Sequence, residues 1–110
     1  MTGLIDLEDG LGRVMGQKQL YFKMLRLFLE GPEYDRLRTY LDNRDIENAR
    51  ETSHAIKGAA GNLSLTALYR TNLSLLEALR AGQMPGQTQI NAYDDALQQT
   101  RDAVRRLLET

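Results

Sequence analysis

One histidine, His54, occurs in the chain, within the run Ser53-His54-Ala55-Ile56-Lys57-Gly58-Ala59-Ala60-Gly61-Asn62, so any imidazole chemistry has a single address. At about 100° per residue, Glu47, Arg50, Glu51, Lys57, Gly58 and Gly61 fall within roughly 60° of His54 on a helical wheel. The opposite side collects Ala49, Thr52, Ile56, Ala59, Ala60 and Leu63, a stripe suited to packing on other helices. The helix is expected to bury that small apolar side and present the histidine to water. A glycine inside a helix costs about 1 kcal/mol relative to alanine, so Gly58 requires a reason. It stands at i+4 from His54, where a side chain would lie over the ring. Its absence leaves room for a large partner, and the wheel places it on the polar face, away from helix packing. Lys57, at i+3, brings an ammonium that can help neutralise a phosphoryl group carried on the imidazole. A free imidazole is mostly unprotonated at neutral pH and can attack as a nucleophile.

Other chemistries find less support. A lone histidine is ordinarily a surface or core residue; here the exposed face, the glycine at i+4 and the lysine at i+3 count against that for His54, while Lys57, ordinarily a solvated charge, has a role only if His54 is reactive. One histidine without cysteine cannot assemble the usual nitrogen and sulfur set for a transition metal, and no spaced acidic cluster surrounds it. Ser53 points about 100° away from His54, which disfavours a serine–histidine pair. No glycine-rich nucleotide loop follows a strand pattern, so the chain is not expected to use ATP by itself.

The segment His54-Ala55-Ile56-Lys57-Gly58-Ala59-Ala60 resembles the His-x-x-Lys-Gly signature of the histidine-containing phosphotransfer (HPt) domains of multistep two-component phosphorelays. The resemblance extends upstream to Ile5-Asp6, Gly10-Leu11, Gly16, Tyr21 and Leu25 through Phe28, and downstream through Asn62 and Leu68. It implies that His54 is the phospho-accepting nucleophile. A receiver domain's aspartyl phosphate would be the donor and an aspartate of another receiver the acceptor. Lys57 would give electrostatic support and Gly58 steric access, with Nε2 the expected attacking nitrogen. The implied partners are response-regulator receiver domains and a hybrid sensor histidine kinase. No cofactor is expected in this chain, since magnesium would come with the receiver. Two alternatives share these residues: a non-catalytic helical module that binds receivers, and the phosphorylatable domain of a chemotaxis-type histidine kinase. The sequence departs from the family pattern at Ser64, where a glycine is common, and at Leu76, followed by Glu77, where a polar residue is common. Only His54, Lys57 and Gly58 are therefore carried over.

The elements that must position these residues read as helices throughout. Met1 to Leu4 is expected to be a loose start, and Asp6 to cap a short helix through about Met15, carrying Leu7, Leu11 and Val14 and ending at Gly16. Leu7 and Leu11 are candidates for the receiver contact. Lys18 to Glu30 carries Leu20, Met24, Leu25, Leu27 and Phe28, a stripe dense enough to be core. Gly31-Pro32 breaks or kinks the helix, and Tyr34, Leu37 and Leu41 resume the period to about Asn43. Asp45 is the expected N-cap of the histidine helix and Gly61-Asn62 its stop. Thr66 is the expected cap of a helix with Leu68, Leu75, Leu76 and Leu79 that ends at Gly82. After a loop over Gln83-Met84-Pro85-Gly86-Gln87, a last helix from Thr88 to Leu108 carries Ile90, Tyr93, Leu97, Val104 and Leu107. The expected fold is all-α: an antiparallel up-and-down four-helix bundle with a short additional N-terminal helix packed as a lid.

Residues 1–110 read as a single domain. Fourteen basic and fifteen acidic residues leave a net charge of −1, which gives no long-range attraction to nucleic acid or an anionic membrane. The absence of cysteine fits a reducing compartment, and no apolar run approaches the roughly 18 residues that span a bilayer. A cytoplasmic monomer that binds neither nucleic acid nor membrane is expected.

Overall fold

The structure, a computed structural model, describes residues 3–110. Of the expected loose start, Met1 and Thr2 lie outside the described residues, and Gly3-Leu4 form a turn. Six helices and no strand occur among the described residues: α1 (Leu7–Arg13), α2 (Lys18–Glu30), α3 (Glu33–Asp42), α4 (Ile46–Asn62), α5 (Thr66–Arg80) and α6 (Gln87–Leu108). Proline disfavours helical backbone in the residue before it, and Gly31 is accordingly extended, with ψ 129°. The helix therefore breaks there rather than kinks. Across the break the Phe28 and Tyr34 rings meet edge to face at 4.8 Å, so α2 and α3 together fill the first position of the bundle. Short connections lead on to α4, α5 and α6, which pack in that order, with α6 returning against α2 and α1 added beside α2. The fold is thus the expected all-α bundle with an extra N-terminal helix.

The interior is built from residues spaced three and four apart. Tyr21, Leu25 and Phe28 come from α2, and Leu68, Leu75, Leu76 and Leu79 from α5; Tyr93 and Val104 of α6 complete it. The Tyr93 hydroxyl donates to the Tyr34 carbonyl at 3.0 Å, tying α6 to α3. The apolar stripe expected on α2 divides in two. Leu25 and Phe28 are core, whereas Leu20 is 41% exposed and Leu27 58%, because Tyr21 takes the inward position that the reading of the stripe gave to its neighbours. Leu76 is fully buried, so the position after the histidine that departs from the family pattern is part of the core.

Three helix ends use a left-handed residue other than glycine. Met15, Arg44 and Ser64 have φ +55°, +56° and +56°. Each sits just past its helix and closes a turn in which the next N–H reaches back to the last full turn: Gly16 to Leu11, Asp45 to Tyr40, and Leu65 to Ala60. The histidine helix ends at Asn62, within the expected Gly61-Asn62 stop, but the left-handed residue that closes its turn is Ser64 rather than a glycine. The first helix stops at Arg13, two residues short of the expected Met15. Asp6 and Asp45 cap α1 and α4 as expected, each accepting from the backbone N–H three residues on. Thr66 is not a cap: it is the first helical residue of α5, and Leu65 before it offers no side-chain bond.

Candidate functional site

Helix α4 carries the histidine on a side fixed by what it buries. Ala49, Ser53, Ile56 and Ala60 face inward, so His54 and Gly58 stand outward and exposed, with Lys57 half-buried beside them. A Cβ built on Gly58 meets nothing within 4 Å, whereas one on Gly61 would touch the Tyr69 ring at 3.4 Å and one on Gly10 would strike the Tyr21 ring at 2.6 Å. Close packing therefore explains Gly10 and leaves Gly58 unexplained by the fold. Directly before the histidine, Ser53 is held in place: its Oγ donates to Asn72 Oδ1 at 2.8 Å, and Asn72 Nδ2 donates to the Ser53 carbonyl at 2.9 Å. Both groups are buried, so this clasp fixes α4 against α5 at the level of the imidazole.

His54, Lys57 and Gly58 line an open cleft of about 580 Å³. α1 adds Asp9 and Arg13 to its lining, and the turn after α4 adds Ser64. The short first helix thus lies beside the histidine, where it was expected. It is anchored on the turn between α4 and α5. Asp6 N donates to the Ser64 carbonyl at 2.9 Å, and Ser64 Oγ donates to Asp9 Oδ2 at 2.5 Å. The same Asp9 oxygen accepts from Arg13 Nε at 2.9 Å. The Ser64 hydroxyl, and then the Arg13 guanidinium, hold the Asp9 carboxyl below its ordinary pKa. Of the two candidates for a receiver contact, Leu7 is exposed, while Leu11 is half-buried against the core.

Arg80, one helix on, places Nη2 3.4 Å from His54 Nδ1. Arginine only donates, so in this contact Nδ1 accepts and a neutral ring carries its proton on Nε2. No signal in the sequence tied Arg80, Asn72, Asp9 or Arg13 to the histidine, because each comes from another helix and pairs through packing. Ser64 alone was marked in advance, by standing where a glycine is common.

A family model for the Hpt domain matches residues 23–108, a span that holds His54, Lys57 and Gly58. The chain belongs to the Hpt family. Searches among curated proteins and among solved structures give no match. Membership makes the Hpt chain a histidine phosphotransfer domain of phosphorelay signalling, a class that interacts with receiver domains of response regulators. The match begins inside α2, so Asp9 and Arg13 of this Hpt domain lie ahead of it. Among the described residues no helix is long and apolar enough to cross a membrane, and no group of three or more His, Cys, Asp or Glu side chains is arranged to hold a metal ion.

Proposed function

We propose that His54 is the phosphoryl-carrying residue of this Hpt domain. Its Nε2 lone pair attacks the phosphorus of a receiver's aspartyl phosphate; the N–P bond forms as the P–O bond to the aspartate breaks, and the carboxylate stays on the receiver. The reverse step delivers the phosphoryl group to an aspartate on a second receiver. Attack needs the neutral ring's proton on Nδ1, so the proton that Nε2 carries beside Arg80 is lost to solvent as Nδ1 takes one up, and the ring then keeps that Nδ1 proton through the transfer. Arg80 must therefore leave Nδ1 before Nε2 attacks, and docking of the receiver supplies the occasion. Lys57 offsets phosphoryl charge, Gly58 admits the receiver, and magnesium belongs to the receiver's acidic site rather than to this chain.

The observation that carries this reading is an exposed imidazole above a helical glycine that no packing accounts for. The clasp through Asn72 supports it by holding the ring's backbone rigid, which favours reaction with a partner that must meet it in one geometry. Incubation with a receiver labelled on its aspartyl phosphate tests it. Label on the wild type and none on His54→Gln is expected. No label on either, with the receiver still bound, would instead make the chain a non-covalent receiver-binding module.

A further inference from the structure

We propose that Arg13 is a second phosphoryl-binding cation of the site, held in position by Ser64 through Asp9. The inference rests on His54 being the phosphorylated residue. Arg13 lines the same cleft as His54 and Lys57, and comes to it from α1 while they come from α4. Its Nε is committed to Asp9, while no side chain or carbonyl among the described residues takes its Nη1 or Nη2. A guanidinium fixed by one edge presents its remaining N–H groups in a set direction, the arrangement that suits the oxygens of a phosphoryl group.

The anchor is unusual in its chemistry. A serine in left-handed backbone is strained by roughly 1–2 kcal/mol, a cost that glycine would avoid. What serine adds is the hydroxyl, which is spent on Asp9, the residue that holds Arg13. Asp9 neutralises one charge of the cleft, so Lys57 and the free edge of Arg13 are its cationic donors to an anion. Ser64 and Asp9 are positioning residues; Arg13 is the group that touches the phosphoryl oxygens.

The test uses the full chain and a small donor, phosphoramidate, which transfers a phosphoryl group to an imidazole with loss of ammonia and makes no protein contacts. The readouts are the rate of phosphohistidine formation and the half-life of the product. Arg13→Gln should slow formation by about tenfold, as expected for one charge-assisted hydrogen bond at an exposed site. Arg13→Lys should recover part of the rate, and the difference between Arg13→Gln and wild type should shrink as salt is raised. Ser64→Ala and Ser64→Gly should each slow formation several-fold and do nothing further in an Arg13→Gln background. A purely structural serine would show the same effect in both backgrounds, and that outcome would overturn the inference. Labelled wild type with equal rates for Arg13→Gln would sink this inference alone. An unlabelled wild type would sink the assignment of His54 together with it.

Discussion

The hydroxyl of Tyr21 donates to the carbonyl oxygen of Leu63 at 2.7 Å, joining α2 to the turn that closes the histidine helix. The bond needs the phenol protonated. Burial, with smaller contributions from Asp6 and Asp9, pushes the Tyr21 pKa up to about 12. An unfolded tyrosine titrates near 10, so the contribution is complete below that pH and is lost as pH rises from about 10 to 12. Burial raises Tyr34 and Tyr93 in the same direction. Urea midpoints measured from pH 8 to 12 should therefore fall steeply above pH 10. The Tyr21→Phe variant should start about 1 kcal/mol lower and fall less steeply; parallel curves would show that Tyr21 is not among the groups responsible.

Asn72 makes both halves of its clasp with Ser53 in a place without water access. Asn72→Leu strands the Ser53 hydroxyl and leaves the Ser53 carbonyl with its helical bond alone, and a loss of about 1–3 kcal/mol in urea unfolding is expected. A change within a few tenths of a kcal/mol would mean that the clasp is incidental.

Gly58 and Gly10 should respond oppositely to one added methyl group. Gly58→Ala gains helix propensity and meets open space, so it should stabilise the fold by up to about 1 kcal/mol. Gly10→Ala drives a Cβ into the buried Tyr21 ring and should destabilise it. Gly58→Leu should keep its circular dichroism and lose receiver binding by calorimetric titration. Undiminished binding would remove the access role assigned to this position.

Lys57→Ala should slow phosphoryl transfer to and from His54 with the helical spectrum unchanged. Stopped-flow or quench kinetics at two salt concentrations would read it, and equal rates at low salt would dismiss the lysine.

Arg80 should bias the ring tautomer of the free protein. Long-range proton–nitrogen correlation spectra at a pH where the ring is neutral should show a larger share of Nε2–H in wild type than in Arg80→Ala. An identical tautomer ratio would show that the contact exerts no influence on the ring.

The fold was legible where one residue type settles one local question. Asp6 and Asp45 announce their helices because a carboxylate two or three positions ahead of free N–H groups has few other uses, and Pro32 announces the break. The left-handed ends were not legible at Met15, Arg44 and Ser64, since a side chain tolerated there by the surrounding turn leaves no mark of its own. Along α2, Leu20 and Leu27 misled because periodicity registers hydrophobicity without knowing that Tyr21 would turn inward to reach Leu63. His54, Lys57 and Gly58 stood out because spacing on one helix suffices to bring them together. Arg80 and Arg13 did not, since their nearness to the ring depends on how three separate helices pack.

Position 58 sets two selection pressures against each other. A procedure that optimised this protein alone in solution, rewarding melting temperature and nothing else, would write a larger residue there and a glycine at Ser64, and both edits would satisfy every criterion it could see. On the role proposed for Gly58, the product would be a sturdier bundle whose landing place for a second molecule had been filled in. Engineering of this scaffold thus requires the bound pair, rather than the isolated chain, as the object being scored.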